Sequence, residues 1–399
     1  MTRTNADRVV VVGASVGGSA VVQALRARGH EGPITLVGEE PHEPYERPPL
    51  SKQLLSGGTE PDRLALHPAR TFEDLGVERH RSTRAVGLDV PGRRVHLAGG
   101  AVLDYGKLVI ATGVTAKRPV WARSDAVHTL RTLDDALALR DALARSRRVA
   151  VVGGGVLGCE IASTAAGMGL EVMLASASPL LMEASLGRDL GAALTALHQE
   201  RGVRLRTGAA VRAIEPGPGR AVQVRFADGE PEPADLVIAA VGSEPATDWL
   251  RPGAIPLGDG VECASDCSAG PGVYAVGDIA RWHNERFETS MRIEHHTNAV
   301  DQARHVADRI TSGDTAPYTP VPYFWTDQFG LRIQAHGHLR GHDEVHLVEG
   351  DLSTGRLVAI YRRGGRLTGV VTVGAAKAAR IWRTRVEART TWREALAMA

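Results

Sequence analysis

A run of apolar β-branched residues, a loop of small residues and an amphipathic helix follow one another twice in this chain. That repeat constrains the fold more than any other feature. The first copy is the strand 9–12, the loop Gly13-Ala14-Ser15-Val16-Gly17-Gly18, a helix to about Arg28 and a strand 34–37 that ends at Glu39-Glu40. The second is the strand 148–152, the loop Gly153-Gly154-Gly155-Val156-Leu157-Gly158, a helix 159–168 and a strand 171–175. Each predicts a βαβ unit of a dinucleotide-binding fold. Glycines allow the tight turn and the close approach of backbone to a pyrophosphate, the helix N-terminus faces the phosphates, and an acid after the second strand accepts from a ribose hydroxyl. Ser15 replaces the middle glycine of the first GxGxxG, whereas the second motif is complete in its strand–turn–helix context. The loops begin 140 positions apart (153 − 13). The chain therefore carries two dinucleotide sites, or one duplicated fold.

At 399 residues the chain is too long for a single core, and two or three domains are expected. A formal net charge of +1 does not advertise nucleic-acid binding. Positive charge is nearly all arginine, since Lys52, Lys107, Lys117 and Lys377 are the only lysines. That singles out Lys52, which closes the first unit. Cys159, Cys263 and Cys267 form no even framework, which favours a reducing compartment. Cys263 and Cys267 make a CxxxC that reads as two unpaired thiols, a redox pair or half a metal site. The short polar start and the lack of any long apolar run predict a cytoplasmic protein with no membrane segment.

Taken in order, the chain continues through a proline-containing stretch to about Pro68, a short helix near 69–75 and a hairpin over 93–103 with Gly99-Gly100 at its turn. A buried strand ends in Ala111-Thr112-Gly113, and a helix covers 133–145. A helix over 187–201 and strands near 203–205, 211–214 and 222–226 complete the second unit. The strand 236–241 ends at Gly242, and 273–276 closes on Gly277-Asp278. A helix over 295–310 precedes a linker, 311–322, with three prolines. The remainder reads as a small α+β domain ending in a helix from about Ala375. Two dinucleotide sites and no metal cluster suggest one bound flavin and one exchanging nicotinamide nucleotide, hence hydride transfer.

PYERPPLSK (44–52), LVIATG (108–113), LRTLDDA (130–136), GGGVLGCE (153–160), GVYAVGD (272–278), RIEHHTNAVDQARHVA (292–307) and YFWTDQFG (323–330) carry a family resemblance. Together, and in this order over essentially the whole chain, they resemble the FAD-dependent ferredoxin reductases of oxygenase and cytochrome P450 systems. That group includes putidaredoxin reductase and the rubredoxin reductases. The resemblance implies an α/β fold of two interleaved Rossmann-like nucleotide-binding domains plus a C-terminal α+β domain. The FAD domain would be discontinuous, 1–115 and 245–316, the NAD(P) domain 116–244 and the C-terminal domain 317–399.

The resemblance also implies site residues. FAD would sit on Gly13, Ala14, Ser15, Gly17 and Gly18, with Glu39 on its ribose and Ala85 in a loop against its adenine. Ala111, Thr112 and Gly113 would line the same site. Arg47 and Lys52 would lie near the flavin ring, Arg131 would contact the flavin nucleotide, and Gly277 with Asp278 would bind the ribityl chain or phosphate. His295 and His296 would bring a helix N-terminus to the pyrimidine edge, where reduced flavin carries negative charge. Trp325 would stand near the flavin and a partner surface, against the alternative of a core tryptophan. NADH or NADPH would bind on Gly153, Gly155, Val156, Leu157 and Gly158, with Ser176 and Gly242 nearby. Lys52 and Glu160 are expected to form an ion pair at the flavin face and to be the catalytic pair. Disulfide reductases share the fold but need a cysteine pair after the first βαβ unit. No cysteine precedes Cys159, so a disulfide relay is excluded. Electrons would leave the flavin directly, for a [2Fe–2S] ferredoxin that serves a cytochrome P450 or a ring-hydroxylating oxygenase.

Two departures from the family pattern stand out. Ser176, 23 positions past Gly153 (176 − 153), takes the place where an acid would select NADH. No arginine follows it before Met182, although Arg188 is within reach, so relaxed use of both nucleotides or an NADPH lean is expected. His296 stands where relatives often carry an apolar or aromatic residue. His336, His338, His342 and His346 invite a metal reading, but they pass through a turn with no cysteine beside them, and a His-rich loop is preferred. Arg362, Arg363, Arg366, Arg380, Arg383 and Arg385 offer a basic face for an acidic ferredoxin, or an ordinary solvated surface. An NAD(P)H oxidase or quinone reductase, and a redox-sensing flavoprotein like the apoptosis-inducing-factor relatives, are the alternatives. Whether the protein is a monomer or a homodimer stays open.

Overall fold

The Val9–Val12 strand sits in the middle of a six-stranded sheet and is almost fully excluded from water. In a computed structural model of the chain, residues 7–68, 70–123, 126–219, 221–250 and 255–399 are described. The polar start at 1–6 and the first residue of the helix expected near 69–75 lie outside them. Two compact units divide the chain. One comprises 1–46, 64–115 and 244–322, the other 47–63, 116–243 and 323–399.

In the first unit, Val9–Val12 pairs in parallel with Ile34–Val37 on one side and Lys107–Ile110 on the other. Val77–His80 extends the sheet beyond Ile34–Val37, and Val273–Ala275 extends it beyond Lys107–Ile110. Strands buried on both faces read as unbroken apolar runs, which is why VVVV, ITLV and KLVI stand out in the sequence. Helices Val16–Ala27 and His296–Ser312 cover one face, with Val21, Leu25, Ala303 and Val306 in its core. A small antiparallel sheet of Ala85–Asp89, Arg94–Leu97 and Val102–Asp104 packs on the other through Leu88, Val95 and Leu97. The expected hairpin is present, its strands joined through Gly99 and Gly100, both at positive φ.

The second unit repeats the plan. Its parallel sheet runs Arg204–Thr207, Glu171–Ser176, Arg148–Val152, Leu236–Ala239, Val127–His128. The helix Leu133–Leu143 opens on a capping box in which Thr132 accepts from the Asp135 backbone N–H and Asp135 answers the Thr132 N–H. Residues 323–399 form a five-stranded antiparallel sheet, Tyr323–Gln328, Leu331–Gly337, Arg366–Val373, Arg356–Arg363 and Glu344–Asp351, followed by the helix Ala376–Glu387. The mixed α/β architecture and the C-terminal α+β part agree with the sequence reading. Residues 47–63, which carry PPLSK, cluster with the second unit.

Candidate functional site

Each unit presents a glycine loop between the end of a central parallel strand and the start of a helix. Ligands of such sheets bind at the carboxyl ends of the strands. In the first unit, Gly13 has φ +112 and a Cβ there would stand 2.1 Å from the Ala111 carbonyl oxygen. A Cβ on Gly18 would stand 1.8 Å from the Gly13 carbonyl oxygen. These two glycines are demanded by the protein's own packing. Gly17 has more room, with Val276 and Ala299 as ordinary neighbours, and Ala14 backs onto Gly38. Ser15 is the N-cap of Val16–Ala27, and its side chain does not cap the helix.

The other strand ends of this unit converge on the same edge of the sheet. Ala111 N–H donates to Val12 O, Thr112 Oγ1 donates to Ala246 O at 3.1 Å, and Gly113 O accepts from Ala246 N. Gly277 N–H donates to the buried Gln302 Oε1 at 2.8 Å, and Asp278 follows in a short 3₁₀ turn. Glu39 is exposed, 3.8 Å from the Arg84 guanidinium, while Glu40 is engaged by the Tyr45 hydroxyl. His295 occupies the N-cap position of the helix His296–Ser312 without a side-chain capping bond, and His296 Nε2 lies 3.0 Å from Glu46 Oε2. Ala85, expected in a loop, begins the strand Ala85–Asp89, where it is buried and pairs with Leu97 just before a register shift at Gly87.

The second loop is built alike. Gly153 has φ +128, and its Cβ would meet the Ala240 carbonyl oxygen at 2.0 Å. A Cβ on Gly158 would meet the Gly153 carbonyl oxygen at 1.8 Å. Gly155 differs from both: a Cβ there meets nothing within 4 Å, and its φ is −85. Neither packing nor backbone conformation requires a glycine at 155, so the open space above it fits the close approach of a phosphate. No acid lies in the first turn of Val16–Ala27, Val156–Gly167 or His296–Ser312, which leaves all three N-terminal dipoles available to anions. Val156 and Leu157 form the first turn above this loop. Ser176 ends its strand, buried, and its Oγ accepts from the Ser178 N–H at 3.1 Å. Gly242 has φ +104, and its carbonyl accepts from Lys117 N.

The second unit also brings together Lys52 and Glu160. Pro48 and Pro49 preset the first turn of the 3₁₀ helix Pro48–Ser51, which buries Leu50 and Ser51 and delivers Lys52 at its end. Lys52 Nζ lies 2.8 Å from Glu160 Oε2 and donates to Pro48 O at 3.0 Å. Thr164, one helical turn beyond Glu160, donates to Ser51 O and ties the turn to the helix. Arg47 Nη1 donates to the carbonyl of Arg131 at 2.6 Å, and Arg131 N–H donates to Asp135. Trp325 is half-buried and stacks on Tyr323 with centroids 5.8 Å apart. It is not a sealed core residue. The partners of Glu160 that the sequence did not announce are Ser51 and Thr326, buried hydroxyls on segments far apart in the chain.

The remaining candidates are dispersed. His336 stacks on Tyr323 and His342 meets Tyr361 edge-on, while His346 faces Trp392. Burial holds His336 and His338 down at about 4. No three His, Cys, Asp or Glu side chains among the described residues are grouped to hold a metal ion. The three cysteines are free, and burial pushes Cys159 and Cys263 up to about 12 and Cys267 well above its usual value. Arg363, Arg366, Arg380, Arg383 and Arg385 are exposed, and Arg362 pairs with Glu344. No helix among the described residues is long and apolar enough to cross a membrane.

Residues 7–303 match the pyridine nucleotide-disulphide oxidoreductase family model, and residues 323–399 match a reductase C-terminal model. The chain is 36% identical to a ferredoxin–NAD(P)+ reductase of a Sphingomonas species, over 94% of this chain and 92% of that one. It is 35% identical to the ferredoxin–NAD+ reductase component of the biphenyl dioxygenase system of Paraburkholderia xenovorans, over 89% of this chain and 87% of that one. Among solved structures, it superimposes on the reductase of the covalent putidaredoxin reductase–putidaredoxin complex with a TM-score of 0.89. That match is at 31% identity and covers 95% of this chain and 93% of that one.

Proposed function

Since the chain belongs to the pyridine nucleotide-disulphide oxidoreductase family, in its ferredoxin reductase branch, we propose that it is an FAD-dependent NAD(P)H:ferredoxin oxidoreductase. Its electrons go to a [2Fe–2S] ferredoxin that serves a cytochrome P450 or a ring-hydroxylating oxygenase. The observation that carries this reading is the pair of glycine cradles on two parallel sheets, with every cysteine unpaired and none before Cys159. Two dinucleotides can be held, and no disulfide is available to take electrons between them.

FAD, when bound, accepts a hydride from NAD(P)H and passes electrons on singly. The chain's residues bind and orient. Gly13–Gly18 and the N-terminus of Val16–Ala27 hold the FAD pyrophosphate. Glu39, exposed at its strand end, accepts from the adenosine ribose, and Asp278 takes the ribityl or phosphate end. The N-terminus of His296–Ser312 places positive dipole where reduced flavin is negative. NAD(P)H lies on Gly153–Gly158 and approaches through the gap above Gly155. Lys52 and Glu160 serve as the charged pair that positions the reacting rings. The exposed arginines of the C-terminal segment steer an acidic ferredoxin. Three unpaired thiols support a reducing cytoplasm as its compartment.

The test is cytochrome c reduction with and without an added [2Fe–2S] ferredoxin, run with NADH and with NADPH. Strong dependence on ferredoxin supports the reading. Equal turnover without it, with oxygen or a quinone consumed instead, replaces the reading by an oxidase or quinone reductase. Poor turnover with every acceptor and a long-lived reduced flavin–NAD complex replaces it by a redox sensor.

A further inference from the structure

Both oxygens of the Glu160 carboxylate are occupied. Oε2 takes the Lys52 ammonium at 2.8 Å and the Ser51 hydroxyl at 2.6 Å. Oε1 takes the Thr326 hydroxyl at 2.7 Å, from the strand Tyr323–Gln328 of the C-terminal sheet. Glu160 and Thr326 are buried, so this bond lies in a medium where charge-assisted hydrogen bonds are strong. Thr326 has one hydroxyl hydrogen, and a carboxylate can only accept. The hydrogen is therefore committed to Glu160.

Gln328, two residues on and facing the same way, lies with Nε2 3.1 Å from Thr326 Oγ1 and 3.2 Å from Met182 Sδ. With the threonine hydrogen spent, the Gln328 amide must present its N–H, which fixes its orientation. Among the described residues its buried Oε1 has no hydrogen-bond partner. A buried acceptor without a donor is costly, so the amide is held this way round for the sake of Thr326. Met182 is in turn anchored: its N–H donates to the carbonyl of Gly154 at 2.7 Å, inside the nucleotide loop. One directed chain thus runs from Gln328 through Thr326 to Glu160.

We infer that Thr326 and Gln328 are positioning residues that hold the Glu160 carboxylate in register with Lys52, so that the C-terminal sheet helps set the geometry of hydride transfer. This rests on the reading of Lys52 and Glu160 as the charged pair of the reaction. Neither Thr326 nor Gln328 is required to touch a cofactor.

The test uses FAD-loaded enzyme and two readouts, the rate of flavin reduction by saturating NADPH or NADH in anaerobic stopped flow, and the midpoint potential of the bound flavin. T326V is expected to slow reduction about tenfold, with nucleotide affinity retained, and T326S to restore most of the rate. Q328L is expected to reproduce part of the loss. The potential is expected to move in the same direction in T326V and E160Q and to return in T326S. In an E160Q background, T326V is expected to add nothing, since it acts through a group already altered. T326A serves for the same comparison if T326V does not fold. Normal rate and potential in T326V beside a slow E160Q overturn the inference and leave the ion-pair reading standing. Normal reduction in E160Q overturns both. Additive losses in the double variant place Thr326 outside this chain of contacts and overturn the inference, and a normal Q328L removes Gln328 from it.

Discussion

The Lys52 ammonium meets the Glu160 carboxylate at 2.8 Å, and their side chains are only 11% and 6% exposed. Removing one partner of such a buried pair strands the other. K52A is therefore expected to destabilise the protein by about 3 kcal/mol. It is also expected to slow flavin reduction by roughly 100-fold while FAD affinity changes far less. Stopped-flow reduction beside FAD titration of the apoprotein checks both, and normal reduction in K52A ends the proposed role of the pair.

The glycines of the second loop should separate folding from binding. G158A drives a methyl to 1.8 Å from a backbone oxygen and is expected to cost at least about 2 kcal/mol in urea unfolding. G155A places its methyl in open space. Its stability should change by less than about 1 kcal/mol, while NAD(P)H binding, followed by fluorescence, weakens markedly.

Ser176 supplies no carboxylate at the end of its strand, and its hydroxyl is occupied by the Ser178 N–H. Nothing at this position repels a 2′-phosphate. The expected outcome is a ratio of specificity constants near unity or favouring NADPH, and S176E should shift that ratio towards NADH by about tenfold. A clear NADH preference in the unaltered enzyme would refute this.

Acid should weaken the C-terminal sheet through His336. Burial lowers this ring from an ordinary 6.5 to about 4, and it stacks on Tyr323 with no partner for its Nδ1 among the described residues. The folded state keeps the ring neutral while the unfolded chain protonates it. The stability contribution is present above pH 6.5 and lost as pH falls towards 4. At pH 5 the loss from this ring is about 2 kcal/mol. Urea unfolding at pH 7 and pH 5 measures it, and H336F should remove this ring's share of the dependence while the share of His338, lowered alike, remains.

What could be read from the sequence was local. Val9–Val12 and Arg148–Val152 declare buried strands by composition alone, and Gly13, Gly18, Gly153 and Gly158 mark turns whose geometry admits no side chain. The turn before Lys52 was visible for the same reason, since Pro48 and Pro49 impose it. Contacts made across the chain were less legible. Ser51 and Thr326 reach Glu160 over separations of 109 and 166 residues, and no local pattern marks them. Ala85 read as a loop residue because the register shift beside it breaks the alternation that would mark the start of its strand. The four-stranded sheet that includes Gly260–Cys263 and Ala280–Asn284 was not anticipated, since its strands join segments separated by the Val273–Ala275 strand.

On the proposed function, electrons leave the flavin for an iron–sulfur protein. The most direct measurement is the reoxidation of NADPH-reduced enzyme, mixed in stopped flow either with an oxidised [2Fe–2S] ferredoxin or with air-saturated buffer. Ferredoxin is expected to reoxidise the flavin much faster than oxygen does. Reoxidation by air as fast as by ferredoxin, with ferredoxin adding nothing to the rate, would contradict it.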